Sequence, residues 1–444
     1  MQKKGVVIFD FGSQYTQLIA RRVRELNVYS EVLSPDTNLD QIKRRDPSAI
    51  ILSGGPSSVF ADEAPNFDKR IFDIKIPILG ICYGLQLLAH HYGGLVESNS
   101  QGEYGFAEIE IDNNKKLFKN VSKRSQVWMS HMDRVTKIPD GWHTLAHSSN
   151  GVIAAMSNED QSIVATQFHP EVAHTDEGKI LIKNFLFKIA NSSPTWTAGN
   201  FIEEQIKLIR SQVKEDKVIV GVSGGVDSTV VAALLHKAIG NQSTAILIDH
   251  GLLRLNEAKK CVKALKDGLG VNIHCYDESK IFLSKLEKVM DPEKKRKIIG
   301  NQFIYSFDRI AKEFGDIKYL AQGTLYPDII ESGVSEGKSA HVIKSHHNVG
   351  GLPDDMNFQL IEPLKDLFKD EVRNIGRELG LSNSLINRHP FPGPGLAVRI
   401  IGEITQERIN ILQEADKVYI DILHEDGLYD DIWQALAVLI PVST

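Results

Sequence analysis

The sequence predicts an α/β protein with two doubly wound sheets, because short apolar strands alternate with amphipathic helices in two successive series. The first series begins with the apolar segment 6–9 and continues through 49–52, and the second begins with 218–222. The polar stretch 191–195 separates them and is typical of a linker. Sheets covered by helices on both faces give this alternation of elements.

Within the first series, the spacing of apolar residues indicates which segments are helices and which are strands. A helix follows residue 12, since apolar residues recur there at helical spacing: Tyr15, Leu18, Ile19, Val23 and Leu26. Segment 76–79 predicts a buried strand. Segment 107–112 alternates apolar with acidic residues, as a half-exposed antiparallel strand does. We therefore expect a doubly wound sheet with an antiparallel part.

The second series begins with a helix whose apolar face carries Ile202, Ile206, Ile209 and Val213. The Pro- and Gly-rich segment 390–395 marks another boundary, because it cannot continue a helix or a central strand. The segment beyond it is short and stops just after the apolar run 435–440. This run has the composition of a buried segment but nothing after it to cover it, so we expect an incomplete domain. The predicted domains are 1–193, 194–389 and 390–444.

The composition limits the classes of protein that need to be considered. The chain has 444 residues, 42% of them hydrophobic and 24% charged, with a formal net charge of −6. This charge gives no general attraction to nucleic acid, and three scattered cysteines give neither a disulfide framework nor a zinc site. No apolar run approaches the roughly 18 residues of a membrane helix, and the N-terminus lacks a signal-peptide pattern. We expect a cytoplasmic protein.

A candidate nucleophile lies in the sequence Gly-Ile-Cys-Tyr-Gly at 80–84, between an apolar strand and an apolar helix. Small flanking residues permit the sharp turn that presents a nucleophile at a helix N-terminus, where the helix dipole favours a thiolate. His169 and Glu171, after another strand-like segment, supply a base and a group that orients it. The alternative is that Cys82 is a buried core cysteine and His169 an ordinary loop histidine.

These residues resemble those of the class I glutamine amidotransferases, in which the cysteine attacks the side-chain amide of glutamine. The resemblance implies that Cys82, His169 and Glu171 are catalytic. It also implies that Gly55 and the Tyr83 N–H form the oxyanion hole, while Gln86 and a loop at 130–133 contact glutamine. Four further histidines are expected to be structural or exposed: His90, His91, His143 and His147.

A second candidate site is the sequence Ser-Gly-Gly-Val-Asp-Ser at 223–228, which follows a strand and precedes a helix. Successive backbone N–H groups at a helix N-terminus bind anions, and glycines let the anion approach closely. A GxxxxGK[ST] loop is absent from the sequence, which disfavours ordinary γ-phosphate transfer. The alternative is a simple turn between a strand and a helix.

The complete motif resembles the loop of the ATP pyrophosphatases, which cleave ATP between its α- and β-phosphates and adenylate a substrate. The ATP-binding residues that this implies are Ser223, Gly224, Gly225, Val226, Asp227, Ser228 and Gly323. Asp227 would also hold Mg²⁺, since this hard cation prefers carboxylate and phosphate oxygens. The resemblance places adenosine at 249–251.

The order of the two halves, together with four local stretches, resembles GMP synthases. These stretches are 10–15, 323–328, 344–351 and 388–395. The resemblance implies a glutamine amidotransferase domain at 1–193 and an ATP pyrophosphatase domain at 194–389. It also implies the reaction: glutamine supplies ammonia, ATP adenylates XMP, and ammonia displaces AMP to give GMP.

The same resemblance implies a lid over the nucleotide site and a contact to the XMP phosphate. The lid residues would be Asp328, Glu331, Lys344, His346 and His347. Arg296, in the basic run 294–297, would approach XMP, although such a run is also typical of a solvated helix face.

The region 390–444 resembles the start of the family's dimerisation domain, which in other members continues further. We therefore expect a C-terminally truncated chain whose homodimerisation is in question. Two alternatives stay open: a remnant that keeps glutaminase activity or ATP binding but makes no GMP, and a glutaminase with an idle second domain.

Overall fold

The computed structural model describes residues 4–113, 115–331 and 358–442. The chain divides into two compact units, Met1–Thr197 and Ala198–Thr444. The three-domain division remains a prediction. No helix in these described ranges is long and apolar enough to cross a membrane.

Among its described residues, the first unit contains one nine-stranded sheet and four α-helices. Its elements are β1 (Val6–Phe9), α1 (Thr16–Glu25), β2 (Ser30–Leu33), α2 (Leu39–Arg45), β3 (Ala49–Leu52), β4 (Ile78–Ile81), α3 (Tyr83–His91), β5 (Leu95–Ile111), β6 (Arg124–Lys137), β7 (His143–Ser148), β8 (Ile153–Ser157), β9 (Ile163–Thr166) and α4 (Gly178–Asn184). The strand order is β2-β1-β3-β4-β9-β8-β7-β5-β6.

This sheet has a parallel half and an antiparallel half. Strands β2, β1, β3, β4 and β9 pair in parallel, whereas β8, β7, β5 and β6 continue the sheet with antiparallel pairs. Strands β1, β3 and β4 are buried at every position, as expected where helices cover both faces. The predicted α/β sheet with an antiparallel part is confirmed.

The described part of the second unit contains five strands that pair in parallel and form one sheet. Its elements are α5 (Ala198–Val213), β10 (Val218–Val222), α6 (Val226–Ile239), β11 (Ser243–Asp249), α7 (Glu257–Leu269), β12 (Ile273–Asp277), α8 (Ser279–Leu286), α9 (Pro292–Lys312), β13 (Tyr319–Ala321), α10 (Tyr326–Glu331), β14 (Gln359–Ile361), α11 (Lys369–Glu378), α12 (Asn383–Ile386) and α13 (Gln406–Glu425). The strand order is β12-β11-β10-β13-β14.

The order of the strands in the second sheet reverses at β10. Strands β11 and β12 lie on one side of β10, and β13 and β14 lie on its other side. In open parallel sheets, ligands bind in the crevice beyond the carboxyl ends of the strands at such a reversal. The segments that follow β10 and β13 therefore form the candidate site of this unit.

One strand is shifted from its expected bounds, and the apolar run near the end of the sequence is only partly buried. The strand expected at 76–79 is β4, which begins at Ile78 and continues to Ile81. The apolar run 435–440 is not buried as a whole: its residues alternate, with Ala435 buried but Leu436, Val438 and Ile440 exposed. Leu439 pairs with Ile400 in an isolated parallel bridge, which explains the alternation because strand side chains point to opposite faces.

The basic run 294–297 is only partly exposed to solvent. Lys294, Arg296 and Lys297 are exposed on α9, but Lys295 is fully buried. Burial and the nearby Arg408 lower the pKa of Lys295. Its Nζ donates hydrogen bonds to three backbone carbonyls, those of Ala397 (3.3 Å), Ile400 (2.7 Å) and Gly402 (2.6 Å). One side chain thus attaches α9 to the turn at 397–402.

Replacing this buried amine is expected to destabilise the second unit. Lys295→Met keeps the length of the side chain but leaves the three carbonyls without their donor, and the free energy of unfolding should fall by about 2–4 kcal/mol. Urea denaturation measures the change. The matched control is Lys294→Met at an exposed position, which should lower the free energy of unfolding by about 0.5 kcal/mol or less. Equal effects of the two substitutions would contradict the proposed contribution of Lys295.

Candidate active sites

Cys82 lies in a strained turn between β4 and α3. Its backbone has φ 52° and ψ −102°, a conformation that non-glycine residues rarely adopt. Glycines make the turn possible: a Cβ at Gly80 would lie 2.7 Å from the Gly84 carbonyl, and one at Gly84 would lie 2.5 Å from the Leu52 carbonyl oxygen. The predicted nucleophile turn at the N-terminus of α3 is therefore confirmed as a structural feature.

Parallel pairing brings a histidine and a carboxylate to this cysteine. Strands β4 and β9 are neighbours, and the Cys82 N–H donates to the Thr166 carbonyl (2.7 Å) where β9 ends. His169 follows a few residues later, and its Nδ1 lies 2.7 Å from Oε1 of the fully buried Glu171. Burial disfavours the imidazolium, but the Glu171 carboxylate and a hydrogen bond with Cys82 outweigh it and raise the pKa of His169 to about 10.

The thiol is enclosed by groups that hold it beside His169. Cys82 Sγ donates to the Ser130 carbonyl (3.6 Å) and accepts a hydrogen bond from Gln167 Nε2 (3.7 Å). A Cβ at Gly54 would lie 2.9 Å from His169 Cε1, so the loop after β3 closes tightly against the imidazole. Together these contacts give a thiol, a base and an orienting carboxylate in the arrangement that covalent acyl transfer requires.

The predicted oxyanion and glutamine residues border the same cysteine. Tyr83 begins α3, where helix geometry leaves N–H groups without intrahelical acceptors. Gly55 belongs to the loop after β3, and the preceding Ser53 carbonyl accepts a hydrogen bond from the Gly84 N–H (3.2 Å). Gln86 Nε2 donates to the Asp133 carbonyl (2.8 Å), which ties α3 to β6.

Segment 130–133 was expected to be a loop, and this expectation is wrong because the segment lies inside β6. His131 and Asp133 occupy inward-facing positions of the strand and are buried. Oδ2 of Asp133 is buried without a hydrogen-bond partner among the residues that the structure describes. An unpaired buried carboxylate oxygen is costly, and a substrate donor would relieve this cost.

The four lesser histidines make contacts away from the thiol. His90 and His91 pack against Phe60 and Phe72, respectively. His147 pairs with Asp112 at 2.6 Å, and His143 is exposed at the start of β7. These placements fit the expected structural or exposed roles.

The second site is the loop 223–228 between β10 and α6, at the reversal of strand order. Its hydroxyls organise the loop from within, since Ser228 Oγ accepts from the Ser223 N–H (3.2 Å) and Ser223 Oγ accepts from the Gly225 N–H (3.3 Å). Gly224 has φ +76°, which favours glycine. The helix begins at Val226, within the motif rather than after it.

Asp227 faces a lysine that the sequence did not single out. Lys369 Nζ, at the start of α11, donates to both carboxylate oxygens, at 2.7 and 2.5 Å. Burial raises the pKa of Asp227, Lys369 opposes this shift and the negative charge of Asp328 adds to it. Gly323 follows β13, and a Cβ there would lie 3.1 Å from Asp227 Cβ. The reversal thus brings Asp227, Gly323 and Asp328 together as predicted.

Two further missed residues hold the other side of the loop. Arg388 Nη1 donates to the Gly224 carbonyl (2.5 Å), and its Nη2 forms an ion pair with the buried Glu257. Neither Lys369 nor Glu257 belongs to a recognisable motif, and the segment 388–395, which begins with Arg388, gives no sequence signal of a contact with the loop. Their proximity arises from the tertiary fold, which local sequence does not signal.

The turn 249–251 lies at the end of β11, next to the candidate loop. Burial lowers the pKa of His250 to about 4, and its Nδ1 accepts the Leu252 N–H (3.1 Å), so the ring is neutral. A Cβ at Gly395 would lie 2.2 Å from the Leu252 carbonyl oxygen and 3.0 Å from His250 Cε1. The Pro- and Gly-rich segment therefore packs directly on this turn.

Several predicted residues cannot be placed in either site. Arg296 is exposed on α9 and pairs with Glu293 at 3.7 Å, so its XMP contact stays a prediction. Asp328, by contrast, lies near Asp227 at the second site, and its Oδ2 accepts from the Leu325 N–H (2.9 Å) at the start of α10. Lys344, His346 and His347 lie outside the described residues, as does the side chain of Glu331.

Comparisons with known proteins match both units. The family model for class I glutamine amidotransferases matches residues 7–189, and the model for NAD synthase matches residues 200–302. The chain is 53% identical to the glutamine-hydrolysing GMP synthase of Brachyspira hyodysenteriae over 439 residues, which is 99% of this chain and 85% of that protein.

Two other relatives give the same result. Identity is 54% to the glutamine-hydrolysing GMP synthase of Thermosipho melanesiensis, over 99% of this chain and 86% of that protein. The chain is also 51% identical to the protein of the same name from Campylobacter lari, and the match covers 100% of this chain and 86% of that protein. The chain belongs to the family of glutamine-hydrolysing GMP synthases.

Proposed function

We propose that this chain converts XMP to GMP, using ammonia from glutamine and the energy of ATP. The observation that carries the proposal is the presence of two separate sites on one chain: the buried Cys82, His169 and Glu171, and the loop 223–228 at the strand reversal. Membership of the GMP synthase family connects these two sites to one reaction. It is a ligase reaction that forms a C–N bond.

In the first step, Cys82 attacks the side-chain amide of glutamine. His169, whose raised pKa favours the imidazolium, holds the proton from the Cys82 thiol and later donates it to the departing ammonia, while Glu171 orients the imidazole and stabilises its charge. The backbone N–H groups of Gly55 and Tyr83 stabilise the negative charge on the amide oxygen. Water then releases glutamate from the thioester. Gln86 and Asp133 bind the glutamine, whose α-ammonium group supplies the donor that Asp133 Oδ2 lacks.

In the second step, the C2 oxygen of XMP attacks the α-phosphorus of ATP, and pyrophosphate leaves. The N–H groups and hydroxyls of 223–228 bind the departing pyrophosphate, whose negative charge grows as the bond breaks. Ammonia then attacks C2 and displaces AMP. Adenylation is needed because the free carbonyl oxygen is a poor leaving group.

The residues present fit a magnesium ion at Asp227. Among the described residues, no group of three His, Cys, Asp or Glu could hold a metal by itself. Mg²⁺ usually binds through one or two carboxylates together with substrate phosphates and water, and Asp227 with nearby Asp328 meets that pattern. When bound, the ion would neutralise charge on the phosphates of ATP.

Two parts of the proposal are independent of both sites. Homodimeric assembly is what the family resemblance implies, although it is in question for this chain, and analytical ultracentrifugation tests it. A cytoplasmic location is what the N-terminal sequence and the composition lead us to expect, and fractionation of the producing cell tests it.

Cys82→Ala is expected to abolish GMP formation from glutamine but to leave formation from ammonium within about twofold of the unchanged chain. The reason is that only the first reaction uses the thiol. GMP release from XMP and Mg-ATP, assayed with each nitrogen source, measures both. Cys275→Ser, at an exposed cysteine, serves as the control and should change neither rate. Loss of ammonium-driven synthesis in folded Cys82→Ala would refute the two-site proposal.

Glu171→Gln should lower glutaminase turnover by about a hundredfold or more, because His169 loses the carboxylate that orients it. The pKa of His169 should also fall, since the Glu171 charge is what raises it against burial. Glutamate release and NMR titration of labelled histidine measure the two effects. Glu177→Gln is the matched control, because Glu177 bonds to Ser122 instead. An unchanged turnover would remove Glu171 from the catalytic set.

Asp227→Ala should lower GMP formation by about a hundredfold or more with either nitrogen source while glutaminase activity continues, because the phosphates lose their metal ligand. The matched control is Asp216→Ala, which breaks another aspartate–lysine pair, that with Lys318 (2.8 Å) before β10. Normal ammonium-driven synthesis in Asp227→Ala would show that the ATP site lies elsewhere.

A further inference from the structure

The peptide bond between Gly224 and Gly225 is held from outside the candidate phosphate loop. The Gly224 carbonyl accepts a hydrogen bond from Arg388 Nη1 at 2.5 Å, across 164 residues of sequence. A trans peptide group points its C=O and N–H in opposite directions. The Gly225 N–H accordingly points away from Arg388 and towards Ser223 Oγ, 3.3 Å away.

Without such a contact, the plane of this peptide could flip by rotation about the single bonds on either side of it, ψ of Gly224 and φ of Gly225. Glycine populates positive and negative φ about equally, and both residues that flank the peptide are glycines. Rotation by half a turn would direct the Gly224 carbonyl, instead of the Gly225 N–H, into the loop. A carbonyl oxygen there would repel a phosphate oxygen, so the loop binds anions in only one of the two orientations.

The guanidinium is itself held in place by a buried carboxylate. Glu257, at the start of α7, accepts from Arg388 Nη2 and, through Oε2, from the Arg254 N–H (2.9 Å). The Glu257 side chain is only 4% exposed and that of Arg388 17%. A Cβ at Gly224 would lie 3.2 Å from Glu257 Oε1, so the loop packs directly on this pair.

A buried ion pair is a poor source of net stability, because desolvation of the two charges offsets their attraction. The pair instead fixes a geometry. The planar guanidinium donates to the Gly224 carbonyl and to Glu257 at once through two nitrogens, whereas a lysine ammonium has only one nitrogen. A charged donor on the carbonyl also polarises the peptide, which makes its N–H a better donor.

We propose that Arg388, held by Glu257, is a positioning residue that fixes the Gly224–Gly225 peptide so that the Gly225 N–H donates to the pyrophosphate of ATP. This inference rests on the proposed role of loop 223–228 as the ATP site. Arg388 acts through the loop rather than by touching the phosphates.

The test measures binding of Mg-pyrophosphate to the full chain by calorimetry, together with the KM for Mg-ATP in ammonium-driven synthesis. Arg388→Gln and Arg388→Lys should each weaken pyrophosphate binding and raise this KM by about tenfold, the effect of one good hydrogen bond. Arg377→Lys is the matched control, since Arg377 also makes two hydrogen bonds, to Asn374 and Asn387, but does not bond to the loop. It should change the affinity by less than about twofold.

Three results would overturn the inference. One is an unchanged affinity in both Arg388 variants. Another is full affinity in Arg388→Lys, which would show that positive charge alone is sufficient. The third is a drop in thermal stability large enough to unfold Arg388→Lys at the assay temperature, which would make the residue structural.

Ser228→Ala distinguishes failure of this inference from failure of the proposal that loop 223–228 is the ATP site. If this substitution inside the loop weakens Mg-pyrophosphate binding while the Arg388 variants do not, only the positioning role fails. If Ser228→Ala has no effect either, the loop is not the pyrophosphate site and the proposed ATP chemistry fails with it.

Discussion

Both candidate sites depend on one geometric constraint: neighbouring parallel strands end at the same edge of a sheet. In the first unit, β4 and β9 pair in parallel, so Cys82 and His169 leave the sheet side by side. In the second unit, β10 and β13 pair in parallel, so Asp227 and Gly323 meet beyond their ends. Residues far apart in sequence thus become neighbours through backbone hydrogen bonds, before any side chain contributes.

The two units then use charge differently. In the first unit, the His169–Glu171 pair is buried and assembled without substrate, so its electrostatic effect requires no rearrangement. In the second unit, cationic side chains from later in the chain hold the loop 223–228: Lys369 bonds to Asp227 and Arg388 to the Gly224 carbonyl. Lys369 occupies both oxygens of the carboxylate that is proposed to bind a metal, so metal and lysine compete for Asp227.

The sequence was sufficient wherever a structural feature depends on adjacent residues. The Cys82 turn, the His169–Glu171 pair and the loop 223–228 were predicted because backbone strain and anion binding need particular residues at fixed spacing. Prediction failed at 130–133, since polar His131 and Asp133 at inward positions hide the alternation of β6. It also failed for Lys369, Glu257 and buried Lys295, whose partners are brought near only by the tertiary fold.

The buried Lys295 has a consequence for when the second unit can fold during synthesis. Its carbonyl partners are 102 to 107 residues further along the chain. At a synthesis rate of roughly 5–20 residues per second, the ribosome needs about 5–20 s to reach them after it has completed Lys295. During that interval the ammonium must remain hydrated, since burial without acceptors would be costly. Helix α9 can therefore dock fully only after residue 402 has left the ribosome, so this part of the second unit folds well after α9 itself has been synthesised.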